Sequence, residues 1–160
     1  MHLLSFISLL FVFLSVVWAD NLPEGFFGKF SHDHSENFDE YMEAKGYGWL
    51  TRKLVAMAGV DKVFTKAGAN TFNFENLTTK KDLKYNNIVL GQEFIGEGLD
   101  GSNHKITFSF RDGTLYEKHV PTDSTAEQKE DEYSFKLDGN TLVQTLEFNG
   151  VVAKRFFKRQ

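Results

Sequence analysis

From Gly59 to the C-terminus the chain repeats one pattern: short runs of alternating apolar and polar residues, broken by residues that turn. Val60–Lys66, Thr71–Leu77, Gln92–Glu97, Lys105–Arg111, Thr114–Val120, Gln128–Leu137, Thr141–Phe148 and Val151–Lys158 all read this way. A period of two puts successive side chains on opposite faces of a strand. Ala67-Gly68-Ala69-Asn70, Asp100-Gly101, Asp112-Gly113, Asp138-Gly139 and Asn149-Gly150 separate many of these runs. Asn149-Gly150 is the strongest hairpin signal, because the favoured two-residue turn needs positive φ at both central positions. The more polar Thr78–Val89 holds a further strand, and Phe26–His32 supplies one near the start. Short, evenly spaced strands joined by hairpins predict an all-β fold, an antiparallel up-and-down meander closed into a single barrel.

One stretch breaks the pattern. Ser35–Gly59 is helical in period: Phe38, Tyr41 and Met42 fall at i, i+3 and i+4, and Leu50, Leu54, Met57 and Ala58 form a second stripe. Asn37 is placed to cap the first helix, with Glu40 three residues on reaching back to its amide. Gly46 and Gly48 permit a sharp turn, and Gly59 ends the second helix. The prediction is two short amphipathic helices, Asn37–Lys45 and Gly48–Ala58, placed as a lid over the barrel after its first strand.

Residues 1–19 carry no Lys, Arg, Asp or Glu, and Leu3–Val17 is almost wholly apolar. Val17-Trp18-Ala19 offers a small-residue cleavage site, so residues 1–19 are expected to be a signal peptide. The run is short of the roughly 20 residues a membrane span needs. Residues 20–160 then form one domain, secreted and extracellular. The net charge of −4 argues against nucleic acid, which wants a clustered basic surface. Cysteine is absent, which excludes thiol catalysis and Cys-based zinc sites. The 17 Phe residues imply a large apolar core or an apolar lining to a cavity.

On the last strand Val151, Ala153, Arg155 and Phe157 share one face, and Val152, Lys154, Phe156 and Lys158 the other. The second set mixes charge with apolar groups, as an outer surface does. Arg155 therefore points inward among apolar neighbours. A buried guanidinium is costly unless paired, and its fork suits a carboxylate. An internal acid, an anionic ligand, or an escape to solvent at the strand end would each answer that cost.

Several stretches together carry a resemblance: Phe27-Gly28-Lys29-Phe30, Glu36-Asn37-Phe38-Asp39-Glu40-Tyr41-Met42, Thr51-Arg52-Lys53, Leu90-Gly91-Gln92-Glu93-Phe94, and Gly150-Val151-Val152-Ala153-Lys154-Arg155-Phe156-Phe157. In this order over Glu24–Gln160 they resemble the fatty-acid-binding protein family. With the export signal and Gly46-Tyr47-Gly48-Trp49, the resemblance is to its secreted nematode branch. It implies a calycin, lipocalin-like barrel of about ten strands that carries a long-chain fatty acid, or a related apolar acid such as a retinoid. It also implies that Arg155 holds the ligand carboxylate. Phe157 stands where the family has a Tyr, and Phe135 where it often has a second Arg. Tyr133 and Gln144, on the inward faces of neighbouring strands, could supply polar groups in their place. By the same matching Phe38, Tyr41, Met42 and, on the second helix, Met57 are lid residues facing the acyl chain. Asp100 matches an acid lining the cavity, with Ser102 in place of a basic residue.

Other features carry less. His32 and His34, at i and i+2 on one strand face, have a metal-compatible spacing but no third ligand, so no metal is expected. The acidic run Glu127–Glu132 and the basic end Lys154–Arg159 read as solvated surface. Lys45, Arg52 and Lys53 near the lid are candidates for transient contact with acidic membrane surfaces. Asn76-Leu77-Thr78 is a glycosylation sequon, making Asn76 a candidate site. No Gly-Xaa-Ser-Xaa-Gly elbow or phosphate loop occurs, so no enzyme and no cofactor are expected. The expectation is a monomeric, non-enzymatic carrier. A lipocalin-like carrier of a neutral lipid, a lipid-acting enzyme, or a structural protein of an extracellular fluid are the rivals.

Overall fold

The computed structural model describes residues 21–125 and 130–160. The signal-peptide expectation for residues 1–19 and the start of the Gln128–Leu137 strand lie outside them, as does Glu127 of the acidic run. Ten strands run antiparallel in the order β4-β3-β2-β1-β10-β9-β8-β7-β6-β5. They are β1 Gly28–Glu36, β2 Val60–Lys66, β3 Phe72–Thr78, β4 Leu83–Ile88, β5 Glu93–Glu97, β6 Asn103–Arg111, β7 Thr114–Pro121, β8 Asp131–Asp138, β9 Thr141–Phe148 and β10 Val151–Arg159. Chain neighbours pair except β4 and β5, β1 closes on β10, and the β4 and β5 edges face one another across a cleft of about 710 Å³. Tyr85 Oη donates to the Glu97 carbonyl at 2.6 Å and Lys81 pairs with Glu97 across that cleft. The predicted barrel is present, and Thr78–Val89 does contain a strand. At the last hairpin Asn149 and Gly150 take φ of 49° and 79°, as the turn requires.

Helix α1 (Phe38–Ala44) and helix α2 (Trp49–Met57) follow β1, as expected. Their detail differs from the sequence reading. Asn37 sits at the cap position with φ 53° and makes no capping bond; its side-chain amide donates to the Val152 carbonyl at 3.4 Å. The cap residue thus ties α1 to β10 instead of closing its own first turn. The α2 stripe is also reversed. Leu50, Leu54 and Met57, expected to face the barrel, are exposed, with Met57 at 84% and neighbouring Trp49 at 65%. Val55 packs inward, against the cluster under the lid. Periodicity shows that a helix has two faces, but only packing decides which one meets the barrel.

The interior has two apolar clusters. At the closed end Phe26, Phe30, Phe64, Phe72, Phe74, Phe108, Phe135 and Phe157 are buried, many in edge-to-face pairs such as Phe64–Phe135 at 6.3 Å and Phe72–Phe108 at 5.7 Å. Under the helices a smaller cluster joins Tyr41 and Met42 of α1 to Leu146 and Ala153. The buried polar side chains, Lys62, Asn76, Glu117, His119, Asp131, Gln144 and Arg155, also point inward from their strands.

Candidate functional site

Arg155 is 9% exposed and sits between two rings, its Cζ 4.4 Å from the Phe38 centroid and 5.5 Å from that of Phe157. Among the described residues no acid comes within ion-pair distance of it, and its Nε is buried without a hydrogen-bond partner. Burial alone pulls its pKa down to about 10. Alternation along β10 therefore placed Arg155 correctly, and the escape to solvent does not occur.

Strand register assembles the rest. Arg155 pairs with Gln144 on β9, and Gln144 with Phe135 on β8, so the three lie on one row across the inner wall. Phe135 and Phe157 are fully buried. The Gln144 Oε1 is buried without a hydrogen-bond partner among the described residues. Tyr133 points inward but is engaged, its hydroxyl donating to Asp131 at 2.7 Å. Burial first, and then Asp131, push that phenol well above its ordinary value. From the lid, Phe38 reaches Arg155 and stacks on Tyr41 at 6.0 Å, while Tyr41 and Met42 are buried beneath α1.

Other candidates lie elsewhere. Met57 points to solvent and touches no part of this site. Asp100 is exposed on the β5–β6 turn, where it accepts from the Ser102 amide at 3.0 Å. The resemblance aligned it with a cavity acid, but the turn carries it to the rim. Ser102 Oγ and both Asp100 oxygens crowd the same His104 nitrogen, Nε2, at 2.9–3.2 Å. A serine relay needs the His to bridge Ser and Asp through opposite nitrogens, so this cluster does not activate Ser102. Asn76 is 5% exposed and accepts from Lys62 Nζ at 2.6 Å. A glycan on that inward amide has no room in this fold, which overturns the glycosylation expectation. His32 and His34 do not share a face: a bulge between them pairs His32 with Phe157 and His34 with Phe156. His34 stacks on Phe156 at 4.3 Å, and His32 meets Phe157 edge-on at 5.5 Å.

The basic residues of the lid also differ from expectation. Lys45 is buried in an ion pair with Asp131, linking the end of α1 to β8. Arg52 bonds Asp39 at 3.2 Å and the Tyr47 carbonyl at 3.2 Å, fastening the two helices. Of the three, only Lys53 is exposed with no ion pair among the described residues.

Two interior features were missed. Lys62 lies on β2 between Val60 and Phe64, buried on the inward face. Glu117 and His119, both inward on β7, bond at 2.8 Å. The signal that found Arg155, a charge in the apolar phase of a strand, was present in Val60-Asp61-Lys62-Val63-Phe64.

No family model matches the chain. Two curated proteins of Caenorhabditis elegans, "Fatty acid-binding protein homolog 2" and "homolog 1", are each 50% identical to it over 154 residues, covering 96% of this chain and 95% and 96% of theirs. The solved structure described as "As-p18, an extracellular fatty acid binding protein" is 41% identical, with a TM-score of 0.82 over 88% of this chain and 99% of that one. A Schistosoma mansoni fatty acid binding protein in complex with arachidonic acid is 26% identical, with a TM-score of 0.73 over 86% of this chain and 97% of its own.

Proposed function

This chain belongs to the fatty-acid-binding protein family, and we propose that it is a secreted, non-enzymatic carrier of a long-chain fatty acid or a related apolar acid such as a retinoid. The observation that carries this reading is Arg155: a guanidinium enclosed by Phe38 and Phe157, with no acid in ion-pair distance among the described residues. Leaving a charge buried and unpaired is expensive, and a ligand carboxylate relieves it through a charge-assisted contact of about 1.5–3 kcal/mol. Burial of the acyl chain, at about 0.8 kcal/mol per methylene, supplies most of the affinity. Gln144, beside Arg155 in register, can donate its amide to the same carboxylate. The lid of α1 and α2 opens to admit the chain, and Phe38 closes over the head group.

Secretion rests on the apolar residues 1–19, which hold no Lys, Arg, Asp or Glu, and agrees with the extracellular description of As-p18. Protein recovered outside cells should begin at Asp20 or close to it; an intact Met1 terminus in a membrane fraction would refute export by cleavage.

The test of the cargo is parallel titration of oleic acid and oleyl alcohol. Arg155→Gln should weaken the acid by roughly ten- to a hundredfold and the alcohol much less. Equal losses for both ligands would make Arg155 a residue of the fold and favour a neutral lipid.

A further inference from the structure

Lys62 is buried, 5% exposed, beside the Phe cluster of the closed end. Its Nζ has one hydrogen-bond partner, the Asn76 Oδ1 at 2.6 Å, which leaves two ammonium N–H groups unassigned. It lies over three rings, 5.6 Å from Phe74, 5.7 Å from Phe135 and 5.6 Å from Phe157. No carboxylate falls within ion-pair distance of it among the described residues. The charged groups that face it are Glu117 on β7, itself bonded to His119, and Arg155 on β10. On β1, His32 faces Arg155 in turn.

Two of those rings are informative. Phe135 and Phe157 occupy the positions from which this family's further head-group contacts were expected, and both are apolar here. Phe157 also carries Arg155 at 5.5 Å. The two buried cations thus share one ring, and the Arg155 charge adds to the cost of protonating Lys62.

We propose that Lys62 is a second head-group residue, binding the ligand carboxylate jointly with Arg155 and held in place by Asn76. The proposal rests on the acid-carrier reading above and deepens it: the site is a two-cation cradle that selects a monoanionic acid. Asn76 keeps the ammonium aimed into the barrel without neutralising it, which a carboxylate at that position would do. The charge balance agrees, since among the described residues Lys62 and Arg155 are opposed in the interior by Glu117 alone, the Lys45–Asp131 pair being self-contained.

Titration supplies a signature. Burial, partly offset by Glu117 and reinforced by Arg155, lowers the Lys62 pKa to about 7. A carboxylate brought against Nζ raises it again. Binding the acid at about pH 8 therefore takes up close to one proton, and affinity for the acid falls as pH climbs from about 7.

The experiment is calorimetric titration of the mature chain with oleic acid and with oleyl alcohol, in two buffers of different ionisation enthalpy. Lys62→Met keeps the stem and removes the charge. It should weaken the acid about tenfold or more, leave the alcohol unchanged or tighter, and abolish the proton uptake. Asn76→Asp retains Lys62 but gives it an internal acid, and should weaken the acid similarly. Selective weakening by Arg155→Gln with none from Lys62→Met would overturn the role of Lys62 and leave the carrier reading standing. A wild-type protein that binds acid and alcohol alike would overturn both.

Discussion

Two residues apart on β2, Phe64 and Lys62 point the same way into the barrel and have opposite consequences. Phe64 meets Phe26, Phe30, Phe72, Phe74 and Phe135 at centroid distances of 4.9–6.5 Å and is fully buried. Everything it touches repays its removal from water. Lys62 enters the same interior with a charge, a hydrogen bond to Asn76 and, among the described residues, no acid within ion-pair distance. A fold selected for stability alone would place an apolar residue there. The closed end is therefore built to hold together, and the polar groups beside it are retained at a cost in stability, which fits a binding site.

The sharpest way to break this contrast is Phe64→Ala. It should cost about 3–5 kcal/mol, because the rigid rings around it cannot collapse into the space. Urea unfolding measures it, and a loss below about 1 kcal/mol would mean that the closed end is not close-packed. Next in size is Lys45→Met at the lid, which orphans Asp131 and should cost about 3 kcal/mol, the low end for a broken buried pair, since Tyr133 still donates to Asp131. Exchange of bound fatty acid should quicken as well, because α1 loses its tie to β8; unchanged exchange would show that this tie does not gate entry.

Lys62→Met should act in the other direction and stabilise the protein by about 1–4 kcal/mol at neutral pH. Its sign with pH follows from the lowered pKa. Below about 7 the lysine is charged in both the folded and unfolded chains, so the burial penalty is present in full. Between there and its ordinary 10.5 the unfolded chain binds the extra proton, so wild-type stability from this group rises with pH. The advantage of Lys62→Met should hence fade toward pH 10.5, and an advantage independent of pH would place its origin in packing. The smallest effect belongs to the outward face of α2: Met57→Ser should change stability by less than about 0.5 kcal/mol, since the side chain is 84% exposed. A larger loss would mean that this face is covered in solution.

Much of this was legible in the chain. Period-two alternation and the Asp-Gly and Asn-Gly turns specify a hairpin meander, and the same alternation puts Arg155 inside. It also puts Lys62 and Asn76 inside: Asn76 follows Phe72 and Phe74 on the inward phase of β3, so the sequon was readable as an interior amide. What resisted reading was of another kind. A bulge at His32–His34 changes the phase of β1, and no residue type marks it. The stripe on α2 faces outward while Tyr41 and Met42 of α1 fill the space under the helices, a choice that helical period does not make.

Local rules follow from bond geometry and sterics, which act between residues a few positions apart; they determined the strands, the turns, the helix pair and the inward phase of Arg155. Partner choice depends on which distant surfaces meet. Lys45 finds Asp131 across 86 positions, and Asn37 leaves its own helix for the Val152 carbonyl. Lys62 and Arg155 come to share the Phe157 ring only because β1 pairs with both β2 and β10 and brings their inward faces together. Burial by distant elements set the cost of those charges, and only the closed barrel could decide it.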